Sequence, residues 1–230
     1  MRSVTVLNRL RFRVIIQSVT HGPSRFLRFA VLSALLALLA GAGVARAETY
    51  VNEFPVSDAL RGRVDFWKLV FTKYGKNEAV FHHRDYPEII YSVLDFSRYQ
   101  EVLPPKAFAK ERARILDRET DQIKQALLSL AKGRAPSSEL EQRIKELFQQ
   151  HGIDNSRSYR DAATDKQIRS QTGIRERFQE GIQRSGRYLH AIEQIFEQAD
   201  LPKGLSRLPL VESSFDYNAY SSAGAAGIWQ

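Results

Sequence analysis

The sequence predicts a mainly α protein: a helical N-terminal region with a small β-hairpin, followed by an α-rich C-terminal part. Three observations predict this class. Apolar residues recur at three- and four-residue spacing over most of the chain after residue 56, as they do on the buried face of a helix. Pairs typical of helix ends interrupt this pattern, and only two short runs have the composition of strands. With 230 residues, 43% of them apolar, the chain can bury a core.

Each element follows from a local pattern. Ser57 is a candidate N-cap, Pro105 suits the first position of a helix, and Ser138 with Glu141 forms a capping box. Lys132-Gly133 is a typical helix end. The predicted elements are, in chain order, a helix over 57–74, a hairpin of runs 79–82 and 88–96, a helix over 105–131, a helix over 138–150, a polar linker or loop over 154–170, and one long helix over 174–196.

Residues 1–47 are predicted to be a secretory signal peptide. They contain seven arginines and no Asp, Glu or Lys. An uncharged stretch rich in Leu and Ala runs from Phe29 to Ala45 and ends in Ala45-Arg46-Ala47, a small-x-small cleavage pattern. An uncleaved anchor is the alternative, but the stretch is shorter than the roughly 20 apolar residues of a membrane span. We therefore expect a protein of the periplasm or cell envelope.

Charge and the absence of cysteine exclude several classes of function. The whole chain has a formal charge of +8, but removal of residues 1–47 leaves 27 basic and 26 acidic residues, so we expect no nucleic-acid partner. The absence of cysteine excludes disulfides, thiol catalysis and a diacylated lipid anchor. His82 and His83 are neighbours in a predicted strand and point to opposite faces, so we expect no metal site there and no cofactor.

The C-terminal segment contains a candidate catalytic acid. Pro202 suits the start of a helix on which Leu205, Leu208 and Glu212 share one face. Apolar neighbours would desolvate the carboxyl group and raise its pKa, which is how an enzyme keeps a general acid protonated. The alternative is an exposed glutamate near a helix end. The small residues of 223–227, followed by an apolar pair and an amide, suit the binding of a sugar chain.

Two ordered motifs make this segment resemble a known family. Residues 208–215 are Leu-Pro-Leu-Val-Glu-Ser-Ser-Phe, and residues 222–230 are Ser-Ala-Gly-Ala-Ala-Gly-Ile-Trp-Gln. The chain closely resembles lytic murein transglycosylases of the soluble-lytic-transglycosylase type, and is most similar to the membrane-bound lytic murein transglycosylase D group. The resemblance covers roughly residues 172–230 and implies a lysozyme-like, mostly helical domain. We therefore divide the mature chain into a helical N-terminal region, 48–170, and a lysozyme-like domain, 171–230.

The resemblance implies an activity and a role for three residues. The substrate would be the glycan strands of peptidoglycan, cleaved at the β-1,4 bond between N-acetylmuramic acid and N-acetylglucosamine with a 1,6-anhydromuramoyl product. Glu212 would be the lone catalytic acid and base. Ser213 matches the serine that orients the substrate or the acid, and Gln230 matches the glutamine of the sugar-binding cleft.

The match ends at Gln230, whereas the family's domain continues with further cleft walls. We therefore expect an incomplete domain, a fragment that is itself inactive and in which Glu212 is more exposed than in a complete enzyme, because an open cleft does not exclude water. Two alternatives stay open. One is a muramidase that hydrolyses the bond with water, for which Asp216 is the nearest second carboxylate. The other is a non-catalytic peptidoglycan-binding protein.

Overall fold

The structure, a computed structural model, describes residues 54–164 and 166–229. The predicted signal peptide and Gln230 lie outside the described residues. Helical residues make up 56% of these described residues, and the strands form one small antiparallel sheet. The prediction of a mainly α protein with a small β-hairpin is therefore confirmed.

Helices surround one three-stranded sheet. The elements are α1 (Asp58–Thr72), β1 (Glu78–His83), β2 (Ile90–Asp95), α2 (Ser97–Val102), α3 (Pro105–Ala131), α4 (Glu139–Gln150), α5 (Ser156–Ala162), β3 (Ile168–Thr172), α6 (Arg175–Ser185), α7 (Leu189–Gln198), a 3₁₀-helix (Lys203–Arg207) and α8 (Leu208–Glu212). None of the helices within 54–164 and 166–229 has the length and apolarity needed to cross a membrane.

The helices with strong local signals have the predicted bounds. Helix α3 starts at Pro105 and ends before Lys132, and Gly133 follows with φ +71°. At the start of α4 the Ser138 hydroxyl accepts a hydrogen bond from the Glu141 N–H at 3.2 Å, as in a capping box. The Glu141 carboxylate accepts from the N–H and the hydroxyl of Ser137, at 2.6 and 2.8 Å. This carboxylate therefore also binds the residue that precedes the N-cap.

The sheet has one strand more than the predicted hairpin. Strand β1 pairs with β2 on one side and with β3 on the other, both antiparallel. The prediction of a linker over 154–170 was wrong, because this stretch contains α5 and the start of β3. Asn155 caps α5 through its side-chain oxygen, and the buried residues Tyr159 and Ile168 attach the stretch to the core. The predicted domain boundary between residues 170 and 171 lies inside β3.

Two apolar cores lie on opposite faces of the sheet, because successive strand residues point to opposite sides. Ala79 and Phe81 of β1 belong to the larger core with α3, α4 and α5. Val80, between them, belongs to the smaller core with Phe66 and Val70 of α1.

The single helix predicted over 174–196 is two helices. Helix α6 ends at Ser185 and α7 begins at Leu189. At the break, the Ser185 hydroxyl donates to the Ile182 carbonyl at 2.7 Å, and Gly186 follows, a residue with low helix propensity. Periodicity alone did not reveal the break, since the apolar spacing continues across it.

The larger core supplies the first stability test. Phe148 is fully buried and stacks on Tyr159 with ring centroids 4.6 Å apart. We expect Phe148→Ala to lower the free energy of unfolding by about 3–5 kcal/mol, because it leaves a cavity. The control Val102→Ala, at a side chain that is 75% exposed, should change it by less than about 0.5 kcal/mol. Urea unfolding measures both, and similar losses for the two variants would contradict the core assignment.

The Glu141 carboxylate gives the fold a specific pH dependence. Hydrogen bonds from the Ser137 backbone N–H and hydroxyl lower the pKa of the buried Glu141. Because its pKa is lower in the folded than in the unfolded chain, the stabilisation is complete above the ordinary glutamate pKa and is lost as the pH falls through the folded-state value. We expect Glu141→Gln to cost about 1–2 kcal/mol at pH 7 and much less at pH 3.

Urea titrations at the two pH values measure this difference. Glu139→Gln, at an exposed carboxylate in the same helical turn, is the matched control and should have little effect at either pH. An equal loss for Glu141→Gln at pH 7 and pH 3 would show that the charge of this residue does not stabilise the helix start.

Candidate active site

Glu212 is the last residue of the short helix α8 and its side chain is exposed. The chain from Lys203 to Arg207 is a 3₁₀-helix, with Pro202 at its N-cap rather than its first turn. The segment is therefore a 3₁₀-helix followed by the short α8, and not the continuous α-helix that was predicted. Leu208 is 46% exposed and Leu205 is half-buried. The expectation that these leucines desolvate the carboxyl group was therefore wrong.

A strained turn follows the glutamate directly. Ser214 and Phe215 are consecutive non-glycine residues with φ of +55° and +54°. This left-handed conformation costs about 1–2 kcal/mol per residue, so other contacts must hold it. The N–H groups of Ser213 and Phe215 both donate to the Pro209 carbonyl, at 3.1 and 3.0 Å, and the Phe215 side chain is buried.

The Ser213 hydroxyl connects the two sequence motifs. Ser213 is fully buried, and its Oγ donates to the Ile228 carbonyl at 2.8 Å. The segment between the motifs closes on itself through a bridge between Tyr220 and Ala226 and a hydrogen bond from the Gly227 N–H to the Ala219 carbonyl at 2.9 Å. This segment is thus held beside Ser213, the residue that follows Glu212 at the end of α8.

Aromatic side chains are exposed on this closed segment. Tyr217 and Tyr220 are 73% and 74% exposed. Trp229 is partly exposed and stacks on Phe196 of α7, with ring centroids 6.0 Å apart and ring planes 11° apart. Exposed aromatic faces are suited to contact with sugar rings, whose C–H groups are apolar.

His82 and His83 lie on opposite faces of β1, as predicted. The His82 ring lies 4.4 Å from that of Phe66, and the His83 ring lies 6.3 Å from that of Phe148, on the other side of the sheet. Desolvation by burial lowers the pKa of both histidines. His83 is buried, with only 6% of its surface exposed. Across 54–164 and 166–229, no three His, Asp or Glu side chains are grouped to hold a metal.

The sequence patterns did not identify Arg184 as part of the candidate site. Its Nε donates to the Ser214 carbonyl at 2.9 Å, which places a cation from α6 on the turn after Glu212. No local signal could have identified this contact, because it joins residues that are 30 positions apart. The left-handed turn was equally hidden, since Ser and Phe lack the preference for positive φ that Gly and Asn have.

No protein-family model, curated protein or solved structure matches this chain. The expected relationship to lytic transglycosylases thus rests on the resemblance of residues 172–230 alone. The roles of Glu212, Ser213 and Gln230 remain predictions. The structure places Glu212 and Ser213 next to each other at the end of α8, and Gln230 lies beyond its described part.

The hydrogen bond between the motifs can be tested by removing the Ser213 hydroxyl. We expect Ser213→Ala to weaken the attachment of residues 218–229 by about 1 kcal/mol, because the Ile228 carbonyl loses its donor. Amide hydrogen exchange at Gly227 should become several-fold faster. Ser222→Ala, at an exposed serine of the same segment, is the control. Unchanged exchange in Ser213→Ala would show that the bond does not hold the segment.

Proposed function

We propose that this chain is part of a peptidoglycan lytic transglycosylase in which Glu212 is the general acid and base. The observation that carries the proposal is the hydrogen bond from Ser213 to Ile228, which brings together the two motifs on which the resemblance rests. A chance similarity of two short motifs would not require them to meet in space. The proposal also assigns the protein to the periplasm or cell envelope, through the predicted signal peptide at 1–47.

The proposed reaction needs one carboxyl group. Glu212 protonates the glycosidic oxygen as the bond to C1 of the muramic residue breaks. The resulting carboxylate then accepts the proton of the muramic C6 hydroxyl, whose oxygen attacks C1 and closes the 1,6-anhydro ring. No water is consumed, and the N-acetyl group of the substrate stabilises the developing positive charge in place of a second carboxylate.

The surroundings of Glu212 support an extended polymeric substrate. The carboxyl group is exposed, so a glycan strand can reach it without a tunnel. Tyr217, Tyr220 and Trp229 offer exposed aromatic surface on the adjoining segment. Because its hydroxyl is bonded to Ile228, Ser213 acts in this proposal by fixing the backbone next to the acid.

A second candidate is a peptidoglycan-binding protein without catalytic activity. The exposure of Glu212 favours it, since the carboxyl group is not enclosed in a cleft that excludes water. The same aromatic surface would then hold the glycan strand without cleaving it.

The proposal is tested by incubating purified peptidoglycan with the protein expressed from its entire reading frame, including any codons that follow Gln230. Mass spectrometry should detect muropeptides with 1,6-anhydro ends, which are lighter by one water than hydrolytic products. Glu212→Gln should lower their rate of release by at least about 10²-fold, because the variant cannot donate or accept the proton.

Asp216→Asn is the matched control. Asp216 Oδ1 accepts from the Asn218 N–H at 2.9 Å, and the amide oxygen of asparagine can keep this bond while the charge is removed. We expect this variant to stay active. Products heavier by one water, lost in both variants, would contradict the transglycosylase and indicate a muramidase. Binding of peptidoglycan without release of any product would indicate the non-catalytic protein.

A further inference from the structure

Helix α6 holds the turn after Glu212 from outside. The Arg184 Nε donates to the Ser214 carbonyl at 2.9 Å, and its Nη1 lies 3.4 Å from the Glu180 carboxylate. The helix approaches so closely that a Cβ on Gly181 would lie 3.0 Å from that of Ser214. Arg184 is about one-third exposed, so its guanidinium is held between the helix and the turn.

The contact acts on the strained part of the backbone. Ser214 and Phe215 are both left-handed, with φ of +55° and +54°. A serine and a phenylalanine leave this conformation unless their surroundings impose it. The Arg184 cation binds the carbonyl oxygen between these two residues, and a hydrogen bond from a charged donor is stronger than one from a neutral donor.

The same turn fixes the direction of the proposed acid. The N–H groups of Ser213 and Phe215 close the last turn of α8 on the Pro209 carbonyl, and Glu212 lies between these contacts. Because the Phe215 N–H follows Ser214 in the chain, relaxation of Ser214 to right-handed φ would break the hydrogen bond from Phe215 to Pro209 and loosen the turn that follows Glu212. A misplacement of about 1 Å at a reacting group costs on the order of 10²-fold in rate.

We propose that Arg184 is a positioning residue for Glu212, which it orients by clamping the left-handed turn at Ser214 and Phe215. The effect on the reaction rests on the proposed function, whereas the clamp on the turn does not. Because Arg184 binds the Ser214 carbonyl, its effect in this proposal reaches the reaction through the backbone.

The test compares three substitutions in helix α6, each of which removes one side-chain charge. Arg184→Met keeps the unbranched stem and removes the donor and the charge. Arg177→Met, at an exposed arginine of α6, removes the same charge away from the turn. Glu180→Gln removes the neighbouring ion pair and leaves the Nε donor in place. Hydrogen exchange reports the clamp, and the release of 1,6-anhydro muropeptides from purified peptidoglycan reports the reaction.

In Arg184→Met we expect amide exchange at Phe215 to become about 10- to 100-fold faster, the range expected for loss of a charged hydrogen bond. Exchange at Ile144 in α4 should not change, which shows that the fold is intact. Turnover should fall by about 10-fold or more while KM changes by less than about 3-fold, because the acid and not the substrate is displaced. Arg177→Met and Glu180→Gln should resemble the parent protein in both measurements.

A second substitution distinguishes positioning from general support. Glycine adopts positive φ without strain, so Ser214→Gly should restore slow exchange at Phe215 and most of the turnover in the Arg184→Met background. Unchanged exchange in Arg184→Met would overturn the clamp. A loosened turn with undiminished turnover, or an equal loss in Arg177→Met, would overturn the positioning role.

The clamp on the turn and the role of Arg184 in the reaction can be overturned independently. If the parent protein releases no 1,6-anhydro product, the proposed function is overturned and the catalytic role of Arg184 with it. Exchange at Phe215 still decides in that case whether Arg184 clamps the turn, because this measurement needs no substrate.

Discussion

Strand β1 is the constraint on which the rest of the fold depends. It pairs with another strand on each side, and its central residues Ala79, Val80 and Phe81 are at most 1% exposed. Because successive side chains point to opposite faces, this one strand supplies side chains to two cores. The larger core unites α3, α4 and α5, and the smaller core attaches α1. A change of register by one residue would exchange the two sets of side chains.

Helix α6 connects the core around this sheet to the candidate site. After β3 the chain is attached to the end of α1 by two backbone hydrogen bonds, from the Ile174 N–H to the Val70 carbonyl at 3.2 Å and from the Arg175 N–H to the Tyr74 carbonyl at 3.0 Å. These bonds fix the start of α6, and the far end of the same helix contacts Ser214. The turn beside the proposed acid is thus connected to the core by one rigid element, which suits a site that needs precise geometry.

The predictable parts of the fold were those whose causes are close in sequence. Helices α3 and α4 have Pro105, Gly133 and a capping serine at the predicted places, and each has a continuous apolar face. Strand β3 has no such signal, because four of its five residues are polar and only Ile168 is buried. Its pairing depends on β1, which lies almost 90 residues earlier in the chain, so only the folded protein shows it.

For the candidate site, the sequence by itself determined the identities and the order of the motif residues, Glu212 with Ser213 and the small-residue segment that ends in Ile228 and Trp229. It also determined the mainly helical class, because helix periodicity and capping are local properties. Only the tertiary structure decided that the motifs meet and that the carboxyl group of Glu212 is exposed. It also decided that a left-handed turn follows Glu212 and is bound by a cation from α6. These features depend on contacts between distant residues, and local propensity either does not specify such contacts or, as with positive φ at Ser214, opposes the result.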